Sequence, residues 1–169
     1  GVIMSGPTAT TVLNQTEDDP QGTWTITGFD DSIILADRLA YPTPASADVT
    51  AQTTAQDIRD DVAETVIKGY VDANLVSGPS IRQVANLTVA TDQARGSNVY
   101  GVARFESLQE LLHGLGQTGG LGYRIEQEGS SLVFDVYEPV DRSALVRLDI
   151  DNGRLSSADY QVEAPLITR

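Results

Sequence analysis

From residue 84 onward the hydrophobic period switches from two to roughly four and back to two. That switch restricts the chain to folds in which a helix packs on a sheet. Leu87 and Val89 alternate with polar neighbours, and the turn signal Gln93-Ala94-Arg95-Gly96-Ser97 leads into Val99-Tyr100-Gly101-Val102. Phe105, Leu108, Leu111, Leu112 and Leu115 then share one helical face over about 105–115. Ser107 and Glu110 open that helix as a capping box, and Gly114, Gly116, Gly119, Gly120 and Gly122 end it. Tyr123, Ile125 and Gln127 restore the strand period, Glu128-Gly129-Ser130 turns the chain, and Leu132, Phe134 and Val136 return it. Leu145–Ile150 and a last strand holding Tyr160 and Val162 flank Asp151-Asn152-Gly153, a hairpin turn whose central positions tolerate positive φ. The order β-β-α-β-β-β-β predicts an α+β domain with a helix on one face of a largely antiparallel sheet.

The front of the chain carries a second pattern. Trp24 and Ile26 alternate with Thr25 and Thr27, the acidic turn Asp30-Asp31 follows, and an apolar run containing Arg38 closes at Tyr41-Pro42. Gly6-Pro7 reads as a turn, and Glu17-Asp18-Asp19-Pro20-Gln21-Gly22 as an acidic loop between two strands. Residues 41–49, with Pro42 and Pro44, read as a linker. Over 54–75, Ile58, Val62, Val66 and Tyr70 fall every four residues and predict one amphipathic helix. Thr54 and Asp57 stand where a capping box would, Asp57, Asp60 and Asp61 favour the helix N-terminus, Asn74 is a stop, and Gly78-Pro79 breaks the element. The chain opens inside the strand-like run Val2-Ile3-Met4, which reads as a fragment of a longer protein.

Composition narrows the functions. The 169 residues are 40% hydrophobic and 21% charged, ordinary for a globular protein. With 24 acidic against 11 basic residues the net charge is −13, which repels phosphates and argues against sequence-specific nucleic-acid binding. No apolar run reaches the roughly 18 residues that span a bilayer, so no membrane partner is expected. The absence of cysteine excludes disulfides, thiolate catalysis and cysteine-based zinc sites.

The remaining residues offer little chemistry. His113 is the only histidine, so a metal site would need carboxylates, and neither metal nor cofactor is expected. Counting from Asp149, a calcium loop would need glycine sixth and glutamate twelfth; glycine falls fifth and Tyr160 twelfth. The pairs Asp18-Asp19, Asp30-Asp31 and Asp60-Asp61 are neighbours that cannot face each other across a glycosidic bond. The glycines of 114–122 follow a helix, whereas a phosphate cradle precedes one. Asn14-Gln15-Thr16 and Asn86-Leu87-Thr88 match glycosylation acceptors, a triplet that chance supplies often. Arg38 and Arg104 sit among apolar neighbours, as arginines do when the stem covers the core and the head pairs with an acid.

Gly28-Phe29-Asp30-Asp31 running into Leu35-Ala36-Asp37-Arg38-Leu39-Ala40-Tyr41-Pro42 resembles a segment of siphophage tail-tip proteins, the hub or baseplate family described as gp-thirty-seven-like. Ala63-Glu64-Thr65-Val66-Ile67, Tyr70-Val71-Asp72-Ala73-Asn74, Ala103-Arg104-Phe105-Glu106-Ser107-Leu108, Gly120-Leu121-Gly122-Tyr123, Leu132-Val133-Phe134 and Pro139-Val140-Asp141-Arg142-Ser143 agree with it in order. The resemblance implies a barrel-like part over 1–47 with partner strands elsewhere, a helical insertion over 48–83 and an α+β part over 84–169. It further implies no enzymatic activity and a homo-oligomeric ring, as a trimer in the full-length protein, in the tail of the virion. There it would contact the distal tail protein, the tape measure and the receptor-binding protein. Trp24, Asp30, Asp31, Arg38, Arg104 and Phe105 become candidate structural and interface residues. If the chain lines a tail channel, its acids would keep passing DNA from adhering. A carbohydrate- or receptor-binding module and, further off, a cell-wall hydrolase are the competing readings.

Overall fold

A computed structural model describes residues 5–16 and 20–141. The chain divides into two compact units, 1–139 and 140–169. The expected strands at 145–150 and around Tyr160 therefore lie outside the described residues, as do Glu17, Asp18 and Asp19 of the acidic loop.

The first unit is α+β. Strands β1 (Thr8–Asn14) and β2 (Thr23–Gly28) form an antiparallel ribbon, with an irregularity in register between Thr8 and Thr10. A short helix α1 (Ile33–Ala36) follows. Strand β3 (Asp57–Val62) runs straight into helix α2 (Ala63–Val71), which continues as a π-helical turn over Asp72–Val76. Then come β4 (Leu87–Val89), β5 (Asn98–Ala103), helix α3 (Leu108–Gly119), β6 (Gly122–Glu128) and β7 (Ser131–Tyr137). β3 pairs antiparallel with β5, while β4, β7 and β6 form a three-stranded sheet in that order, with β4 parallel to β7. Among the described residues no sheet closes into a barrel, and 1–47 contributes a two-stranded ribbon.

Helices α2 and α3 make the core. Val66, Ile67, Tyr70, Val71 and Leu75 pack with Leu108, Leu112 and Leu115, and Phe134 and Val136 of β7 and Leu87 of β4 close the other side. Tyr70 lies against β5 where Gly101 leaves room: a Cβ at 101 would stand 2.8 Å from the tyrosine ring. Burial pushes the Tyr70 hydroxyl well above its ordinary pKa, so it stays a donor to the Asp57 carbonyl at 2.9 Å.

Several sequence expectations need correcting. Residues 57–62 are a strand, because their backbone pairs with Asn98–Ala103; Ile58 is 51% exposed and outside the core stripe. The Thr54–Asp57 capping box therefore does not form. Helix α2 instead starts at Ala63, whose N–H donates to Ser97 O at 3.0 Å, while Glu64 N–H donates to Arg95 O at 3.2 Å. Asn74 does not stop the helix. It is buried in the π turn, donating to Tyr70 O and accepting from Tyr41 N–H.

Helix α3 begins three residues later than expected and runs through the glycines to Gly119. Ser107 makes no side-chain cap; Leu108 N–H donates to Arg38 O instead. Gly120, at φ 72°, turns the chain out of the helix. Gly6-Pro7 is not a turn but prolongs the β1–β2 ladder, with Phe29 N–H donating to Pro7 O and Asp31 N–H to Ser5 O. The 41–49 linker is tied down, since Pro44 O and Ser46 O both accept from Arg82.

Two glycines of α3 have opposite surroundings, which makes them a matched test. A Cβ at Gly119 would sit 2.2 Å from the Ala63 Cβ, whereas one at the exposed Gly114 would meet nothing within 4 Å. In urea unfolding, Gly119→Ala is expected to cost about 1–3 kcal/mol by forcing the two helices apart. Gly114→Ala is expected to gain about 0.5–1 kcal/mol by helix propensity.

Candidate interaction surface

The β1–β2 register sorts its side chains onto two faces. Leu13 opposes Trp24 and Thr11 opposes Ile26, so these four share one face. Val12 with Thr25, Thr10 with Thr27, and Asn14 with Thr23 occupy the other. The first face is apolar and uncovered: Trp24 is 64% and Ile26 68% exposed, with Leu13 beside them. Phe29, just past β2, is exposed as well. A two-stranded ribbon has no interior of its own, so this face gains stability only when something is laid on it.

The candidate residues divide into two groups. Trp24 lies on the apolar ribbon face. Asp30 and Asp31 stand at its base, where Asp30 Oδ1 accepts from Ser32 N–H at 2.7 Å to enter α1. Asp31 is buried and accepts from Ser5 Oγ, which ties the two ends of the ribbon together. Arg38 and Phe105 meet elsewhere, where segments 38–40 and 105–108 run alongside each other. Phe105 N–H donates to Ala40 O at 2.7 Å, Ala40 N–H to Glu106 O at 2.9 Å and Leu108 N–H to Arg38 O at 2.8 Å. Phe105 has φ 64° and is no part of a helical face; its ring stands edge-on to Tyr41, 5.5 Å between centroids. Arg104 is exposed, and its backbone N–H donates to Glu106 Oε2. Neither Arg38 nor Arg104 pairs with an acid among the described residues, contrary to the expectation for both.

A groove of about 810 Å³ runs along β6, lined by every residue from Leu121 to Glu128. Gln109, His113, Gly116 and Gln117 of α3 form its opposite wall, with Asp30 at one end. Lining by odd and even residues alike means that the groove follows the strand's edge, since one face of a strand would present alternate residues. β6 is the edge of its sheet among the described residues. Among those residues no cluster of three or more His, Cys, Asp or Glu is placed to hold a metal ion, and no helix is long and apolar enough to cross a membrane.

The strongest electrostatic feature lies inside. Glu64, fully buried on α2, accepts from Arg95 Nε at 2.8 Å, Arg95 Nη2 at 2.9 Å, Arg95 N–H at 2.9 Å and Lys68 Nζ at 2.7 Å. Lys68 also reaches Thr91 O at 2.9 Å and Asp135 at 3.2 Å, and Arg95 donates to Val136 O. Arg124 also reaches Asp135, at 3.9 Å, and Glu64 Oε1 and Oε2 each have two donors. The hydrogen bonds from Arg95, followed by those from Lys68, hold the Glu64 carboxyl at about 2, against the opposing cost of burial. A carboxylate so saturated cannot serve as a proton acceptor, which makes the cluster a structural clamp. Sequence reading missed it, although Glu64 and Lys68 at i, i+4 were its visible half.

Because its folded pKa is depressed, Glu64 contributes stability above its ordinary value near 4.5 and loses it as pH falls toward 2. The melting temperature should fall across that window, and less steeply in Glu64→Gln. At pH 7 the same variant should lose about 3–5 kcal/mol, since Lys68 and Arg95 would keep buried charge with half its partner gone. Melting curves across that window and urea titrations at pH 7 check this.

No curated protein and no solved structure matches the chain. The family model described as Siphovirus ReqiPepy6 Gp37-like protein matches residues 1–169, its whole length. The ordered motifs, the α+β unit and that full-length match agree: this chain belongs to the siphovirus Gp37-like family of phage proteins.

Proposed function

We propose that the chain is a structural part of the phage tail tip, a hub or baseplate protein that assembles into a ring at the distal tail. The full-length protein forms a trimer, joins the tail tube to the receptor-binding parts, and does no catalysis. Its partners are the distal tail protein, the tape measure and the receptor-binding protein, and its place is the virion. One observation carries this reading: on the apolar face of the β1–β2 ribbon Trp24 and Ile26 stand side by side with Leu13 and are about two-thirds exposed. Burying the exposed parts of Trp24, Ile26 and Leu13 in a neighbour would gain on the order of 1 kcal/mol for each before the cost of association, a contribution repeated around a ring. The net charge of −13 keeps the unassembled chain soluble while that face is open.

Light scattering after size exclusion tests the reading. A discrete trimer is expected. Trp24→Lys with Ile26→Lys should return it to monomer with the circular dichroism of the core unchanged. A trimer that survives both substitutions would place the interface elsewhere and remove the support that the ribbon gives.

A further inference from the structure

Arg82 is 8% exposed and has no carboxylate partner among the described residues. Its Nη2 donates to Pro44 O and to Ser46 O (the latter at 2.8 Å), and its guanidinium lies over the Tyr41 ring, 3.9 Å from the centroid. Its Nε and Nη1 are buried and meet no acceptor. A buried guanidinium surrounded by carbonyl dipoles and a ring, with no counter-charge, is an expensive arrangement, because buried charges are ordinarily paired. Buried N–H groups without acceptors add to that cost.

Arg82 lines a cavity of about 170 Å³ together with Arg38, Asp37, Leu39, Tyr41, Asn74 and Leu75. Arg38, half-buried, also lacks an ion pair among the described residues, so two arginines without an ion pair line one small space. The Asn74 amide is committed to Tyr70 O and Tyr41 N–H, and Asp37 is exposed and lies beyond ion-pair distance of both arginines. At about 30 Å³ for each water, the space admits one carboxylate or phosphate group with a few waters.

We infer that the Arg38–Arg82 cavity is an oxyanion-binding site. Arg82 is the fixed, stacked donor beneath the ligand, and Arg38 is the adjustable one at the rim. The bound group is either a carboxylate, carried by an acidic side chain or chain terminus of another protein, or a phosphate. The site stands apart from the ribbon and does not depend on the assembly reading.

The test uses the whole chain with acetate, inorganic phosphate and chloride, each to roughly 10 mM at matched ionic strength. Thermal melting and the NMR signal of the Arg82 Nε–H are followed. Acetate or phosphate should raise the melting temperature and shift that signal saturably, while chloride does neither. Arg38→Gln should weaken the response about tenfold, the loss of one charge-assisted contact, with the fold retained. A response to acetate alone identifies a carboxylate as the natural ligand, and one to phosphate alone a phosphate. The proposal is overturned if neither oxyanion acts, if chloride acts equally, or if Arg38→Gln leaves the response unchanged.

Discussion

The Glu64 carboxylate is the point on which the described unit is organised. It sits in the first turn of α2 and is held by Arg95 from a loop thirty residues on and by Lys68 one turn along the same helix, both of which also reach Asp135 of β7. Through Arg95 it fixes the 90–97 loop, whose carbonyls at Arg95 and Ser97 in turn accept the first N–H groups of α2. Through Lys68 and Asp135 it fixes the sheet against that helix. One saturated acid thus does what a capping side chain and a row of apolar contacts would do separately. The cost is desolvation, which the four donors to Glu64 offset; removing any one of them strands the rest.

How much of this was legible follows from where each signal lies in the chain. The strand period at 87–89, 99–102, 123–127 and 132–136 reports local burial alternation, and those strands form. The spacing of Ile58, Val62, Val66 and Tyr70 misleads because it joins a strand to a helix with no break between them. Nothing local marks Val62 as the junction, since the partner that makes 57–62 a strand lies forty residues away in β5. Capping was misread for the same reason. Both α2 and α3 take their first acceptors from distant backbone, so Thr54 and Ser107 are not used as caps. The glycines of α3 look like a stop signal, yet Gly119 serves close approach to Ala63 and Gly120 alone supplies the left-handed exit.

Of the candidate residues, Trp24 lies exposed on the apolar face of the ribbon. Arg38 borders a cavity that only the fold could reveal, because its companion Arg82 carries no signal in the sequence. Asp31 and Phe105 have local structural tasks, bonding Ser5 and packing on Tyr41.

The unit is therefore finished on one side and unfinished on the other. A core held by Glu64 carries an amphipathic ribbon whose apolar face has no cover among the described residues, and assembly is our proposed reason for that face. Amide hydrogen exchange on the isolated chain and on the proposed assembly tests this most directly. In the isolated chain, α2, α3 and β7 should exchange only through global unfolding, while β1 and β2 exchange through local opening of low free energy. In the assembly the ribbon should gain protection comparable to the core. A ribbon as protected as α2 in the isolated chain, or one left unprotected in the assembly, would contradict the account.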